Sequence, residues 1–159
     1  IPANLKQELS KIMDSNNPLF TGFPDTTEEA LQNFGNAINN YAKLVVPVTI
    51  PVSQNLGIQA FVTTLMPITV QPITDATPSY MDLFPQAMMA YATQLAIGML
   101  PVFASTPPVT PLNLDAVWEI GLSGGTTEQV VTAMVTTIDA WFRTGIAVNT
   151  VTAVTIPWV

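Results

Sequence analysis

A helix-plus-strand unit that recurs three times along the chain constrains its fold more than any other feature. Residues 26–51 open Thr26-Thr27-Glu28-Glu29 and close Val48-Thr49-Ile50-Pro51. Residues 126–157 open Thr126-Thr127-Glu128-Gln129 and close Val154-Thr155-Ile156-Pro157. Between these ends the apolar positions keep phase: Leu31, Phe34, Ile38 and Tyr41 answer to Val131, Met134, Ile138 and Trp141. A weaker middle copy places Phe84, Met88 and Tyr91 against Phe34, Ile38 and Tyr41. Repetition of a packing unit is a statement about architecture rather than chemistry.

Each unit reads as a short helix, a loop, a long helix and an extended segment. The first has a short helix over Asn4–Asp14, a long helix over Thr27–Leu44 and an extended Val46–Val52. In the long helix, Ala30, Leu31, Phe34, Ala37, Ile38, Tyr41 and Ala42 fit a 3.6-residue period. The second has Ile58–Met66, a loop Pro67–Ser79, a long helix Gln86–Leu100 with Pro85 in its first turn, and an extended run through Pro111. The third has Asn113–Leu122 with Asn113 as N-cap, a Ser123-Gly124-Gly125 loop and a long helix Thr127–Thr144. Its tail, Thr150–Val159, alternates as a strand does, with Val154, Ile156 and Trp158 on one face. Thr26 with Glu29, and Thr126 with Gln129, each fit a capping box.

The expected fold is therefore mainly α. Three repeated short helix–long helix–extended segment units, 4–52, 56–111 and 113–159, form one helical domain with a small peripheral β element. Its core is Phe34/Ile38/Tyr41, Met88/Tyr91/Leu95 and Met134/Ile138/Trp141. One domain suits 159 residues.

Charge narrows the function. Asp, Glu, Lys and Arg make up 9% of the chain, with a net charge of −7, against about 25% charged in an ordinary domain. Leu44–Thr74 and Leu83–Leu114 carry no charge at all. Such a surface suits a subunit that hides it in an assembly. The acidic balance argues against nucleic acid, which needs Lys and Arg in numbers. Gln86–Leu100 is apolar but short of a membrane span, and it is expected as a buried helix. Ile1–Lys6 lacks a basic stretch leading into an apolar run, so no signal peptide is expected.

With no His and no Cys, the chain has no Ser-His-Asp triad, no Cys-His pair and no imidazole or thiolate metal site. No catalytic residue, metal or cofactor is expected. Asp115 and Glu119 share a helix face and are the only carboxylate pair worth weighing for a hydrolase. Helix capping and solvation account for them more simply. Ser123–Thr127 precedes a helix but lacks the Lys of a phosphate-binding loop. Asp139 and Arg143 have the spacing of a helical ion pair. Arg143, the only Arg, follows Trp141 and Phe142, and such residues are enriched at interfaces. With Val154, Ile156 and Trp158 of the terminal strand, these three are the interface candidates. That strand is expected to pair with Val46–Val52 or Val102–Thr110, or to add to a neighbour's sheet.

Gly121-Leu122-Ser123-Gly124-Gly125, the run Ala140–Asn149 and the closing Thr155-Ile156-Pro157-Trp158 resemble small structural proteins of tailed-bacteriophage virions. The Ala/Thr/Pro-rich, nearly charge-free composition resembles them too. The likeness is one of pattern and covers about the last third of the chain. It implies a non-enzymatic virion subunit of head, neck or tail, working through protein–protein interfaces. Its partners would be other virion proteins or further copies of itself, not nucleic acid or membrane. The alternative is a monomeric ligand-binding or adhesion module, with Pro67–Ser79 and Phe103–Pro111 as binding loops.

Overall fold

The computed structural model describes residues 2–47, 49–67 and 80–159. Within them the chain is mainly α-helical, with six helices and a small three-stranded sheet at the periphery. The helices are α1 (Ala3–Met13), α2 (Thr27–Val45), α3 (Pro51–Leu65), α4 (Tyr80–Gly98), α5 (Asp115–Leu122) and α6 (Thr127–Phe142). The strands are β1 (Phe103–Thr106), β2 (Ile146–Asn149) and β3 (Thr155–Pro157).

The two best-matched long helices start differently in detail. At α6 the capping box is complete: the Gln129 amide N–H donates to Thr126 Oγ1 (3.2 Å) and the Thr126 N–H to Gln129 Oε1 (2.9 Å). At α2, Thr26 Oγ1 accepts from the Glu29 N–H (3.1 Å), but the Glu29 carboxylate accepts from the Asp25 N–H instead. The box expected there is half closed, and the second acceptor satisfies a donor one residue earlier.

The second unit departs furthest from expectation. Helix α3 starts at Pro51, within the segment expected to be extended (of which Val48 lies outside the described residues). Proline suits a first helical turn, and Pro51 opens the helix instead of closing an extended segment. Helix α4 begins at Tyr80, with Pro85 inside it rather than at its first turn. Residues 68–79 of the expected Pro67–Ser79 loop lie outside the described residues. Among the described residues, strands follow α4 and α6 but none follows α2.

Helices α3 and α4 make the closest helix pair, through small residues. A Cβ at Gly57 would stand 2.9 Å from the Tyr91 ring, and one at Gly98 only 2.4 Å from Ser53 Cβ. Alanine is worth about 1 kcal/mol more than glycine inside an exposed helix. Here the clash reverses that sign, because Ser53 has no flexible end to move aside. Gly98→Ala should destabilise the chain by ~1–3 kcal/mol. A urea melt in which it stabilises would refute the close contact.

All nine residues of the expected core are buried. Two aromatic groups extend it. Phe34, Phe61 and Phe84 meet with ring centroids 5.2–5.8 Å apart. Phe142 is the hub of the other, with Tyr41 (5.9 Å), Tyr91 (6.4 Å), Trp141 (5.3 Å) and Trp158 (6.2 Å) around it. Offset and edge-on contacts of this kind add to plain burial.

The sheet runs β1-β2-β3, antiparallel throughout. Phe103 lies opposite Asn149, and Ile146 opposite both Thr106 and Pro157. The terminal strand thus pairs with neither expected partner. Its partner is β2, four residues just after α6, and it is β2 that pairs with β1.

Candidate functional site

The six interface candidates divide into two sets. Trp141, Phe142 and Trp158 are buried in the chain's own core. The Trp141 Nε1–H donates to the Thr110 carbonyl (2.7 Å), and the Trp158 Nε1–H to Ser105 Oγ (2.6 Å). A buried indole needs such a partner. Both are supplied from within the chain, so none of these three rings is presented to another molecule. Arg143 and Val154 are exposed and Ile156 is half-buried. Arg143 makes the ion pair its spacing suggests, Nε to Asp139 Oδ2 at 2.8 Å.

Asp139 also accepts from the buried Tyr41 hydroxyl, which the sequence did not indicate. Burial, the hydrogen bond to Asp139 and its charge together push the Tyr41 phenol well above its ordinary value. The Tyr91 hydroxyl donates to Asn39 Oδ1 (2.8 Å), and burial pushes that phenol well up too. These contacts tie α2 to α6 and to α4. They are buried polar groups with their partners in place.

The remaining chemical candidates are ordinary. Asp115 and Glu119 are both exposed on α5, where nothing desolvates them for acid–base work. Asn113 does not cap α5; its Oδ1 accepts from the Asp115 N–H, and Leu114 takes the cap position. In the Ser123–Thr126 turn the four backbone amides donate to Glu119, Gly121, Ile120 and Gln129. An anion would find those donors already used. Among the described residues there is no group of three or more His, Cys, Asp or Glu that could hold a metal ion. No helix among them is long and apolar enough to cross a membrane.

The feature the sequence did hint at is an apolar end of the molecule. The Ile50 N–H donates to the Gly98 carbonyl (3.0 Å), which joins the start of α3 to the end of α4. The Thr150 N–H donates to the Val102 carbonyl (3.0 Å), which joins the β2–β3 loop to the approach of β1. Those contacts bring Ile50, Val52, Ile97, Leu100, Val102 and Val151 to one end. Each is between 46% and 91% exposed. All but Val151 come from the charge-free stretches Leu44–Thr74 and Leu83–Leu114. Single exposed apolar residues need no explanation, but a cluster without charge marks an interaction site.

No protein-family model, curated protein or solved structure matches the chain.

Proposed function

We propose that this chain is a non-enzymatic structural subunit of a tailed-phage particle, working through protein–protein contacts in capsid, neck or tail. The observation that carries the assembly reading is the group of exposed apolar residues Ile50, Leu100 and Val102, which come from charge-free stretches of the sequence. With a net charge of −7, copies of this chain repel one another over most approaches. Contact through this end removes apolar surface from water without bringing carboxylates together. The virion setting rests on the resemblance of the last third of the sequence. In the same reading the three long helices are copies of one unit, supported by the matching buried positions Ile38, Met88 and Ile138.

Native mass by light scattering on a sizing column tests it. The wild-type chain should form a defined oligomer that tightens with concentration. Ile50→Glu with Val102→Asp should return it to monomer while the melting temperature stays within a few degrees, because both side chains face solvent. A wild type that remains monomeric at every concentration removes the self-assembling reading.

A further inference from the structure

The geometry points to a binding site for a neutral amphiphile, a molecule with an uncharged hydroxylated head and a short apolar tail, in the cleft between α1 and α2. None of its lining residues belongs to the apolar end or to Phe103–Pro111.

Two adjoining cavities form it. The deeper has a volume of about 230 Å³ and is walled by Met13, Leu31, Phe34, Phe84, Trp118 and Met134. Five helices contribute to its lining, so it is a gap where helices meet and not a crease on one face. An engineered apolar cavity of about 150 Å³ stays dry and takes benzene, so this one has room for a tail of several carbons. Its lining is chiefly aliphatic, aromatic and thioether groups, the usual wall of a small-molecule pocket.

The outer cavity, about 360 Å³, has a different chemistry. Asn33, Asn36 and Asn40 line it from α2, Glu8 and Lys11 from α1, and Phe23 from the connecting loop. Ile12, Pro24 and Asn33 belong to both cavities, so the two are continuous. Asn33 marks the junction. It is half-buried, and among the described residues its side-chain amide has no hydrogen-bond partner. A primary amide offers two donors and an acceptor.

Charge on the rim selects the head. Glu8 already accepts from Lys11 Nζ (3.3 Å) and from Asn40 Nδ2 (2.9 Å). Glu29 accepts from the Asp25 N–H. Lys11 is held by Glu8, so the rim has no unpaired cation for an anionic head. A cationic head would find Glu8 and Glu29 already accepting from Lys11, Asn40 and the Asp25 N–H, with the Lys11 ammonium beside Glu8. The three asparagines can serve hydroxyl groups in either sense, and Phe23, 72% exposed, offers a flat apolar face beside them.

Octyl glucoside, kept below its micelle concentration, is the probe. Isothermal titration should show saturable one-to-one binding to the full chain. Octanoate, with a similar tail and an anionic head, should bind at least tenfold more weakly. Ala30→Leu pushes a side chain into the inner cavity and should weaken octyl glucoside at least tenfold. Asn33→Leu should keep tail binding and erase the preference for glucoside over octanoate. Met13 and Met134 methyl resonances give a second readout, and should move on titration of any variant that retains the site. Unsaturable binding, equal affinity for octanoate, or unchanged affinity in a folded Ala30→Leu chain would each overturn the assignment.

Discussion

Replacing Trp158 by alanine is expected to cost ~3–5 kcal/mol, although it lies one residue from the end of the sequence. A side chain just past a strand of three residues has few neighbours in its own element. Trp158 is instead 1% exposed. Its ring stacks on Phe142, its indole N–H donates to Ser105, and its backbone N–H donates to the Gly145 carbonyl (2.9 Å). Gly145 is required there, since a Cβ would lie 2.5 Å from the indole. Loss of the ring opens a cavity against the Phe142 hub and unties β3 from the helices. Trp158→Phe keeps most of the packing and gives up the hydrogen bond, so it should cost about 1 kcal/mol plus the volume difference. Urea melts of the two variants check this. A neutral Trp158→Ala would mean that the terminal strand is not anchored on its own chain. The same anchoring makes truncation at Asn149 a poor probe of assembly, because it removes a core residue along with any interface.

The periodic parts of this fold were legible in the sequence, and the inverted parts were not. Leu31, Phe34, Ile38 and Tyr41 mark the inner face of α2 because large apolar groups point inward there. Helix α3 reverses the rule over its first two turns, before Ile58, Phe61, Val62 and Leu65 restore it. Its small residues Ser53 and Gly57 are buried against α4, while Val52 and Leu56 face outward. A reading that seeks large apolar residues inside therefore begins the helix at Ile58, about two turns too late. The reversal also creates much of the apolar end, so the segment that misled the helix assignment is the one that suggests assembly. The Asp139–Arg143 pair followed from spacing alone, but Tyr41 as a third member needs α2 and α6 side by side. Of the terminal strand expected over Thr150–Val159 only Thr155–Pro157 forms, because the chain turns at Thr150–Thr152, and Val154 is exposed rather than on one face with Trp158. Its partner was not legible, since Ile146–Asn149 is only four residues, too short a run for alternation to show beside the Gly145 that follows α6. The cleft could not be anticipated, because its inner wall joins α2 to one or two residues from each of four other helices that are distant in sequence.

Stability should fall steeply above pH 10, and two tyrosines set the slope. Tyr41 and Tyr91 are almost without exposure, and both phenols are pushed above their ordinary value of 10.0. In the unfolded chain each releases its proton near pH 10. In the folded chain each keeps it, because a buried phenolate would be desolvated and, at Tyr41, would face the Asp139 carboxylate. The folded state then binds more protons than the unfolded one, so unfolding free energy declines as pH rises. The contribution is fully present below the unfolded value. It is lost above that value at about 1.4 kcal/mol per pH unit for each tyrosine. Two such groups would consume a typical domain stability of 5–15 kcal/mol within a few pH units. With no His in the chain, no imidazole titration adds a slope between pH 6 and 8. Urea melts between pH 8 and 11.5 read the effect directly. Tyr91→Phe should start less stable, since Asn39 loses its partner, but its decline above pH 10 should be about half as steep. Tyr41→Phe should halve it likewise, and Asp139 keeps Arg143 in that variant. The slope isolates proton linkage from lost packing, because a packing defect lowers stability equally at every pH. A wild-type profile flat to pH 11.5 would show that the phenols are free to ionise in the folded chain, and that α2 is not tied to its neighbours through them.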